Sequence, residues 1–462
     1  MLTRIEIDGF KSFRSFALDV PPFLVVLGRN AAGKSNLFDA LRFLRLMADR
    51  PLREAAQGIR GELAELFHRH VDGTRMSRMS FAVEVLLDRA VTDAFGDTAQ
   101  VGHSRVRYET TIELRGDGLG LRPFVVQEAA ILIRKKDDRW MDRFAKDLRP
   151  QLGAYSSRSP QLLRTIGAEA GQPWFQIFPG FLGKPRQVPA SKAEATVLSS
   201  LTTVYEYPLL FALKREMQSW RLLHLDPTAL RSPDFYDGPD TLSADGAHLA
   251  NTLRRIVVET GTEDRPDGLL NDLAADLAAV VPEVASVRLA EDDAHRLRQV
   301  EVVTRNEAPF SARVASDGTL RALALLAAAY DPRGGGLICF EEPENGIYPQ
   351  RLARFVRLLR MLVQRSLDAR RNDEGASLTQ LILSSHHPAT LRALGPSSDG
   401  PLREDVVFLD NITRLTPGSP RSRVTWLRRI ASGGHAGPPP NDVSVLPEAE
   451  IRDFEVSEAL DD

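Results

Sequence analysis

Runs of apolar residues organise the first fifty positions of the chain. Leu2 to Ile7 and Phe16 to Val20 alternate apolar and polar positions, as half-buried strands do, and Phe23 to Leu27 is a continuous apolar run. From Asn36 to about Met47, apolar positions recur at helical spacing. The pattern therefore predicts three strands followed by a helix, with a short glycine-containing segment between the third strand and the helix.

That connecting segment reads Gly28-Arg29-Asn30-Ala31-Ala32-Gly33-Lys34-Ser35 and matches GxxxxGK[ST]. In such a loop the glycines let backbone N–H groups turn toward phosphates, the lysine reaches the β and γ oxygens, and the hydroxyl serves Mg²⁺. The following helix adds its positive N-terminal end. A glycine-rich turn with an incidental lysine is the alternative, and it leaves the hydroxyl unexplained. We predict an ATP site formed by Gly28, Asn30, Gly33, Lys34, Ser35 and Asn36, with Ser35 also a ligand of Mg²⁺.

Strand-like alternation returns at Phe81 to Asp88 and Arg105 to Arg115, which favours an antiparallel sheet beside the first strands. Between 121 and 240 the pattern is less regular, with helix-like runs at Ala195 to Val204 and Pro208 to Trp220. Six prolines between positions 150 and 189 exclude a long coiled-coil arm. We therefore expect this stretch to be an inserted, mainly helical lobe.

Three short segments of the second half place polar residues at the ends of apolar runs. Ala315-Ser316-Asp317-Gly318-Thr319 precedes an apolar helix, Leu320 to Tyr330. An apolar strand then ends in Glu341-Glu342-Pro343-Glu344, and a further apolar strand ends in Ser384-Ser385-His386-His387. Paired carboxylates at a strand end suit a metal shell and the activation of water. The pattern of the second half therefore predicts three loops with candidate functional residues.

Composition narrows the class of protein without changing this picture. The length of 462 residues predicts two or three domains, or one domain with large insertions. The chain is 43% hydrophobic and 26% charged with a formal net charge of −3, which is typical of a globular protein with no overall basic surface. One cysteine, Cys339, excludes an internal disulfide framework and a cysteine-rich zinc site. The sequence has no apolar run of membrane-spanning length and no export pattern, so we expect a cytoplasmic protein with no membrane partner.

The stretch from Ile5 to Phe13, taken with Gly28 to Asn36, resembles the opening of RecF-, SMC- and OLD-like ATPases of the AAA/ABC class. Leu242 to Ala250 resembles the LSxDGxNLA segment of RecF- and OLD-like proteins, with His248 in place of asparagine. The resemblance implies an α/β fold of the P-loop NTPase, ABC/RecF-like type. Such a fold has a mixed sheet core, an antiparallel subdomain and, here, the inserted lobe.

The resemblance also implies roles for the three loops of the second half. The segment 315–319 resembles the ABC signature loop, so Ser316 and Gly318 would hold the γ-phosphate of a nucleotide bound to a second subunit. The paired glutamates resemble a Walker B motif, in which Glu341 would bind Mg²⁺ and Glu342 would orient the attacking water. Many relatives carry aspartate where Glu341 stands. His386 matches the switch histidine by register, although the sequence alone does not decide between His386 and His387.

Two assignments stay open at this stage. ABC-class proteins carry a glutamine that senses Mg²⁺ and the γ-phosphate, and neither Gln57 nor His68 matches it well. Two basic groups, either solvated faces or phosphate contacts, occur late in the chain. They are Arg351, Arg354, Arg357, Arg360 and Arg365, at near-helical spacing, and Arg421, Arg423, Arg428 and Arg429 around Trp426.

The resemblance divides the chain into four segments. They are an N-terminal part of an ABC-type ATPase domain (1–120), the inserted lobe (121–240), the C-terminal part of the ATPase domain (241–415), and a basic segment followed by an acidic, flexible tail (416–462). Only 76 residues follow His386, too few for the nuclease domain that OLD-like proteins add.

Together these features predict an ATPase that uses Lys34, Glu342 and His386 in catalysis and dimerises on ATP. We expect it to act on or near DNA, in repair or anti-phage defence, alone or with a separate nuclease or other effector protein. The alternative is a non-catalytic ATP switch of the toxin–antitoxin type, or the energy subunit of another complex.

Overall fold

The computed structural model describes residues 1–116, 120–149, 155, 160–169, 171–179, 184–305, 308–373, 376–394, 402–415, 420–431 and 444–456. Its α-helices are α1 (Lys34–Met47), α2 (Leu52–Gln57), α3 (Arg139–Phe144), α4 (Pro208–Ser219), α5 (Pro227–Arg231), α6 (Leu249–Thr260), α7 (Leu269–Val280), α8 (Asp317–Tyr330), α9 (Pro349–Asn372), α10 (Pro388–Leu394) and α11 (Glu448–Val456). Short 3₁₀ turns lie at Leu63–Leu66, Lys135–Asp137, Lys146–Leu148, Leu198–Ser200 and Ala312–Val314.

The strands, in chain order, are distributed over three larger sheets and one hairpin. They are β1 (Leu2–Asp8), β2 (Phe16–Asp19), β3 (Phe23–Leu27), β4 (Arg78–Leu86), β5 (Ala90–Thr92), β6 (Thr98–Gln100), β7 (Arg105–Arg115), β8 (Arg122–Leu132), β9 (Gln161–Ile166), β10 (Trp174–Ile177), β11 (Arg186–Pro189), β12 (Arg221–Leu223), β13 (Asp234–Phe235), β14 (Val284–Asp292), β15 (Leu297–Thr304), β16 (Phe310–Ser311), β17 (Gly336–Glu341), β18 (Thr379–Ser385), β19 (Leu402–Arg414), β20 (Ser422–Ala431) and β21 (Val445–Leu446).

The central sheet has the order β12-β17-β18-β3-β19-β20-β21 and is parallel from β12 to β19. All five residues of β3 are buried, as expected for an uninterrupted apolar strand inside a parallel sheet with both faces covered. In register, Ser385 pairs with Leu27 and Glu341 with Ser384. The carboxyl ends of β3, β17 and β18 therefore meet at one edge of the sheet.

An antiparallel sheet of eight strands lies beside the central sheet, in the order β11-β10-β9-β8-β7-β4-β1-β2. Helix α1 joins the two through a shared core: the ring of Phe43 lies 6.1 Å from that of Phe10 and 5.8 Å from that of Phe81. Phe10 and Phe13 are fully buried, so both are core residues. This packing fixes α1 between the two sheets, with its N-terminus at the edge where β3 ends.

A second core lies on the opposite face of the central sheet. It joins α6, α7, α8 and α9 to the hairpin of β14 and β15. Leu323, Leu325 and Leu326 of α8 are fully buried in it. The core anchors α8 along its length, so the N-terminus of α8 has a fixed position.

The structure confirms the predicted fold class, a mixed α/β protein with a central sheet and an antiparallel subdomain. The stretch 121–240 contains more strand than expected, because β8 to β11 extend the antiparallel sheet. The helix-like run from Ala195 to Val204 forms only a 3₁₀ turn at Leu198–Ser200. The backbone N–H of Val197 donates to the buried Glu128 carboxylate, and this contact takes the place of a helical start. The division into four segments stays a prediction.

Part of the predicted tail, residues 444–456, contains a short strand and a helix. Val445 pairs with Arg429 through the parallel β20–β21 contact, and α11 places Phe454 with its ring 5.3 Å from that of Phe408. Apolar contacts therefore dock this part of the acidic segment. The rest of the predicted tail, 432–443 and 457–462, lies outside the described residues. Among the described helices, none combines the length and apolar character needed to cross a membrane.

Candidate functional site

The loop after β3 wraps the N-terminus of α1, as the motif predicts. Gly33 caps the helix with φ of +102°, and a Cβ at this position would lie 2.1 Å from Oγ1 of Thr425. Glycine is required here on both counts, since the backbone is left-handed and a neighbouring strand occupies the space. Asn30 is exposed at the loop, whose open side faces solvent.

A hydrogen-bonded triad supports the loop from behind. Asn36 donates to Oγ of Ser12 (2.8 Å), the hydroxyls of Ser12 and Thr425 are 2.7 Å apart, and Thr425 donates to the carbonyl of Ala32 (3.1 Å). Asn36 was predicted to bind nucleotide. In the structure its side chain is hydrogen-bonded to the turn that contains Ser12 and supports the loop, and nucleotide binding by Asn36 stays a prediction.

Lys34 lies folded over its own loop. Its Nζ donates to the carbonyls of Gly28 (2.5 Å) and Arg29 (3.0 Å). Burial lowers the pKa of Lys34, while the nearby carboxylates of Glu344, Glu342 and Glu341 oppose that shift. The ammonium is thus held by neutral carbonyls only, which a phosphate oxygen can replace with a stronger, charge-assisted bond.

Ser35 and Glu341 meet although 306 positions separate them. Ser35 Oγ donates to Glu341 Oε2 at 3.3 Å. Burial raises the pKa of Glu341, and electrostatic interactions with Arg60 and His224 counteract this. A half-buried carboxylate beside a hydroxyl offers two hard oxygen donors, which is the donor set that Mg²⁺ prefers. The residues present therefore fit Mg²⁺.

Glu342 and His386 follow on adjacent strand ends. Glu342 has φ of +55°, its N–H donates to the carbonyl of Ser384 (2.8 Å), and its Oε2 accepts from Asn345 (2.6 Å). His386 Nδ1 lies 3.7 Å from Glu342 Oε1. A left-handed glutamate is uncommon, and such a backbone conformation is typical of functional sites. The conformation leaves the Glu342 carboxylate partly exposed beside the imidazole.

The structure also separates the two neighbouring histidines. His386 Nδ1 lies 3.4 Å from Glu344 Oε1 and has no hydrogen-bond partner among the described residues. His387 instead accepts the N–H of Ala389 through Nδ1, at the start of α10. Of the two, His386 is thus the one whose Nδ1 lies near the carboxylates of Glu342 and Glu344.

Three residues of this site were not among the predicted catalytic, nucleotide-binding or metal-binding residues. Glu344 is buried, and its Oε1 accepts from Ser385 Oγ (2.7 Å) and from the N–H of His386 (3.2 Å). Arg60 and His224 are close enough to affect the pKa of Glu341. Leu223 pairs with Phe340, so His224 follows β12 next to Glu341. The third glutamate of the Glu-Glu-Pro-Glu run was a signal for Glu344, whereas strand pairing was needed for His224.

The remaining candidates lie elsewhere. Ser316 caps α8, accepting the N–H of Thr319 at 3.2 Å, and Gly318 packs on Gly346. No described hydrogen bond or ion pair joins Ser316 or Gly318 to residues 28–36. Gln57 is exposed on α2. His68 is buried, and its Nδ1 lies 2.7 Å from the carbonyl of Lys11, so it is a core residue.

His248, the departure from the LSxDGxNLA pattern, has φ of +67° at the N-cap of α6. Asparagine adopts this left-handed conformation more readily than most residues, which explains the pattern's preference. The imidazole Nδ1 lies 3.4 Å from Asp234 Oδ1. His248 therefore has a structural position, away from the strand ends that carry Glu341 and His386.

A glycine loop at a helix N-terminus, a hydroxyl beside a strand-end carboxylate and a second carboxylate next in sequence define a P-loop ATPase. The chain belongs to the family described as "AAA domain, putative AbiEii toxin, Type IV TA system", whose profile matches residues 23–151 and 193–392. This membership confirms the prediction of an AAA/ABC-class ATPase.

Other similarities are more limited. The chain is 46% identical over 44 residues to the chromosome partition protein Smc of Methanocaldococcus jannaschii, covering 9% of this chain and 4% of that protein. Among solved structures, an Smc head bound to the C-winged helix domain of ScpA is 12% identical, with 92% of this chain and 98% of that chain covered and a TM-score of 0.47. An Smc head bound to the C-terminal domain of ScpA, derived from Pyrococcus furiosus, is 10% identical, with 92% and 96% covered and a TM-score of 0.44.

Proposed function

We propose that the chain binds and hydrolyses ATP with Mg²⁺. The observation that carries this proposal is the meeting of Ser35 with Glu341, beside Glu342 and His386, at one edge of the central sheet. Ligands bind at this edge in open α/β sheets. Phosphoryl transfer needs mainly placement and charge neutralisation, and every required group has a candidate at this edge.

Each residue has a defined task in this proposal. The loop N–H groups and Lys34 bind the β and γ phosphates, and Ser35 and Glu341 hold Mg²⁺. When bound, Mg²⁺ would supply positive charge that offsets the negative charge of the phosphates. Glu342 orients the attacking water and accepts its proton, and His386 contacts the γ-phosphate through the face next to Glu342.

The position of the signature loop supports a dimer that closes on ATP. Ser316 and Gly318 have no described contact with the loop that holds Lys34, so their proposed role in binding the γ-phosphate requires a second copy. Val314 and Tyr348 flank the signature loop with 72% and 73% of their surfaces exposed, beside a mainly apolar cavity of about 740 Å³. Large apolar side chains around a concave surface are typical of an interface.

The test compares two variants by phosphate release, nucleotide binding and light scattering. We expect Lys34→Ala to abolish ATP binding, and Glu342→Gln to bind ATP, to lose at least about 100-fold in turnover and to accumulate as a dimer. Glu263→Gln, an exposed glutamate without a described partner, serves as the control. A Glu342→Gln protein that stays monomeric with ATP, under conditions where it binds ATP, would rule out the shared site.

The interface is tested separately in the Glu342→Gln background. Tyr348→Asp places a charge on the exposed apolar surface beside the signature loop. We expect it to prevent ATP-dependent dimerisation while ATP binding is unchanged. Phe95→Asp, at a side chain that is 77% exposed on the β5–β6 hairpin, should dimerise normally.

The second candidate function is a non-catalytic ATP switch in a toxin–antitoxin system, which the description of the family favours. It predicts nucleotide-dependent dimerisation with no turnover, so the same phosphate-release measurement separates the two. For the output of the ATPase cycle we propose action on or near DNA, in repair or anti-phage defence with a separate nuclease or effector. ATP hydrolysis does not depend on this part of the proposal.

A further inference from the structure

The arginines of α9 that the sequence pattern singled out are engaged within the protein. Four of the five are bound to neighbouring elements: Arg351 to Glu283, Arg354 to the carbonyl of Ala279, Arg360 to Asp405 and Arg365 to Asp276. In the second group, Arg428 pairs with Glu450 and Arg429 is buried. These contacts stabilise the fold. We therefore do not assign these arginines to a phosphate-binding surface.

A different group of arginines surrounds the C-terminal end of α1. We define the arginine cluster as Arg42, Arg45, Arg50, Arg53 and Arg215. The members come from α1, the turn after it, α2 and α4. Arg45, Arg50 and Arg215 line a cavity of about 170 Å³ together with Leu46, Asp49 and Gln218. Tertiary packing of α4 against α1 creates this cluster, which is why the sequence pattern did not show it.

Few carboxylates balance these charges. No member of the arginine cluster forms an ion pair with any described residue, in contrast to the arginines of α9. Asp49 lies inside the cluster, where its carboxylate accepts from Gln218 (2.8 Å), and Glu54 is exposed on α2. Burial lowers the pKa of Arg45 and the charges of Arg42 and Arg50 lower it further, while the charge of Asp49 opposes this shift. The cluster is thus a region of positive potential, because its guanidinium charges are not neutralised by ion pairs with described carboxylates.

We propose that the arginine cluster binds the sugar-phosphate backbone of a nucleic acid. Guanidinium groups bind phosphates in a planar, two-pronged geometry. Arg42 and Arg45 are three positions apart on α1, which is roughly 4.5 Å along its axis, and successive phosphates of one DNA strand are about 3.4 Å apart along the axis. The cluster continues beyond α1 to Arg50, Arg53 and Arg215, so it can contact more than one phosphate of a strand, which favours a polymer over a single phosphate group. Backbone contacts of this kind are independent of sequence.

Helix α1 connects this surface to the nucleotide site. Its first residues are Lys34 and Ser35, and its 14 residues end beside the cluster. The helix is about 21 Å long, so one rigid element carries both sites. This part of the inference rests on the proposed function: nucleic acid bound at the cluster should alter ATP turnover through α1.

The direct test is the binding of a fluorescein-labelled DNA duplex, followed by anisotropy over a range of salt concentrations. We expect Arg50→Glu combined with Arg53→Glu to weaken binding at least about tenfold and to reduce the salt slope by about 2, because each of the two arginines would neutralise one phosphate. Both side chains are exposed and have no described partner, so folding should be preserved, as thermal melting would verify.

The matched control reverses two exposed arginines elsewhere, Arg288→Glu on β14 and Arg357→Glu on α9, with the same change in net charge. Equal weakening in both double variants would show a general charge effect and overturn the proposal, as would an absence of duplex binding by the unaltered protein. Displacement of the duplex by equimolar inorganic phosphate would identify a small-anion site instead. ATP turnover without DNA should be unchanged in Arg50→Glu/Arg53→Glu, so failure of the ATPase proposal is measured independently.

Discussion

Gly318 and Gly346 pack backbone against backbone: a Cβ on Gly318 would lie 1.8 Å from the carbonyl oxygen of Gly346. Gly318 belongs to the segment 315–319, which is proposed to act as a signature loop, and Gly346 follows the segment that contains Glu342 and Glu344. The contact joins the surface proposed to face a second copy with the carboxylates of the same chain. A shift of either loop must therefore move the other.

The variant Gly318→Ala tests this contact. Because the added methyl meets backbone rather than a flexible side chain, one of the loops must move, at a cost of about 1–3 kcal/mol. We expect turnover to fall while ATP binding at Lys34 persists, measured by phosphate release and by binding of a fluorescent nucleotide. Gly102→Ala, where a Cβ has nothing within 4 Å, is the control. Normal turnover in Gly318→Ala would show that the two loops move independently.

Removal of the Glu341 carboxylate should weaken the binding of the Mg²⁺ that supports nucleotide binding. With Glu341→Gln the hydroxyl of Ser35 remains, but the charge that attracts Mg²⁺ is removed. Loss of a residue that supports a metal ligand typically lowers metal affinity roughly 10- to 100-fold. We expect the Mg²⁺ concentration for half-maximal ATP binding to rise by at least this factor. Titration of Mg²⁺ against a fluorescent ATP analogue measures this. If the midpoint is the same as that of the control Glu263→Gln, Glu341 does not bind Mg²⁺.

Glu344 should act as a positioning residue for His386. Its Oε1 accepts from both Ser385 Oγ and the His386 N–H, so Glu344→Ala frees the segment that carries the imidazole. We expect kcat to fall about 10- to 100-fold, as when other supporting hydrogen bonds around a site are removed, with little change in KM for ATP. Glu344→Gln keeps an acceptor oxygen and should restore most of the rate. If Gln were as poor as Ala, the charge of Glu344 rather than its hydrogen bonds would matter.

The sequence predicted those parts of the site that depend on local spacing. Two motifs show this. Each is a short continuous segment, from Gly28 to Ser35 and at the strand end with Glu341 and Glu342. His224 and Arg60 reach the same site only through strand pairing and the return of the chain after α1. For the same reason the docking of Phe454 on Phe408 was missed, since an acidic segment gives no local sign of the apolar surface that it covers.

The antiparallel sheet shows a second limit. The residues of β8 (Arg122–Leu132) alternate between buried and less buried positions. This local pattern does not show which strand they pair with, and the antiparallel pairing with β7 is seen only in the structure. Between 195 and 204 the local pattern favoured a helix, and a tertiary contact prevailed. That contact is the fully buried Glu128, which accepts two hydrogen bonds from the N–H of Val197 and one from the hydroxyl of Tyr108. Local propensity is a weak prior against such a contact.

The same glutamate gives the stability of the protein a dependence on pH. Burial raises the pKa of Glu128 to about 7 from 4.5, although hydrogen bonds from Val197, Tyr108 and Leu198 partly offset the shift. The folded state therefore takes up a proton that the unfolded state releases between pH 4.5 and 7. The stabilising contribution is fully present below the unfolded pKa and is lost as the pH rises through 7.

We expect the free energy of unfolding to fall with rising pH across this window by up to about 3 kcal/mol from this group. Glu128→Gln keeps an acceptor oxygen for the Val197 N–H and cannot ionise, so its stability should depend less on pH and should exceed that of the unaltered protein at pH 8. Denaturant unfolding at several pH values measures the difference, with Glu263→Gln as control. Parallel pH curves for the two proteins would show that the carboxyl group is not protonated in the folded state, and that water or an unrecognised cation relieves its burial.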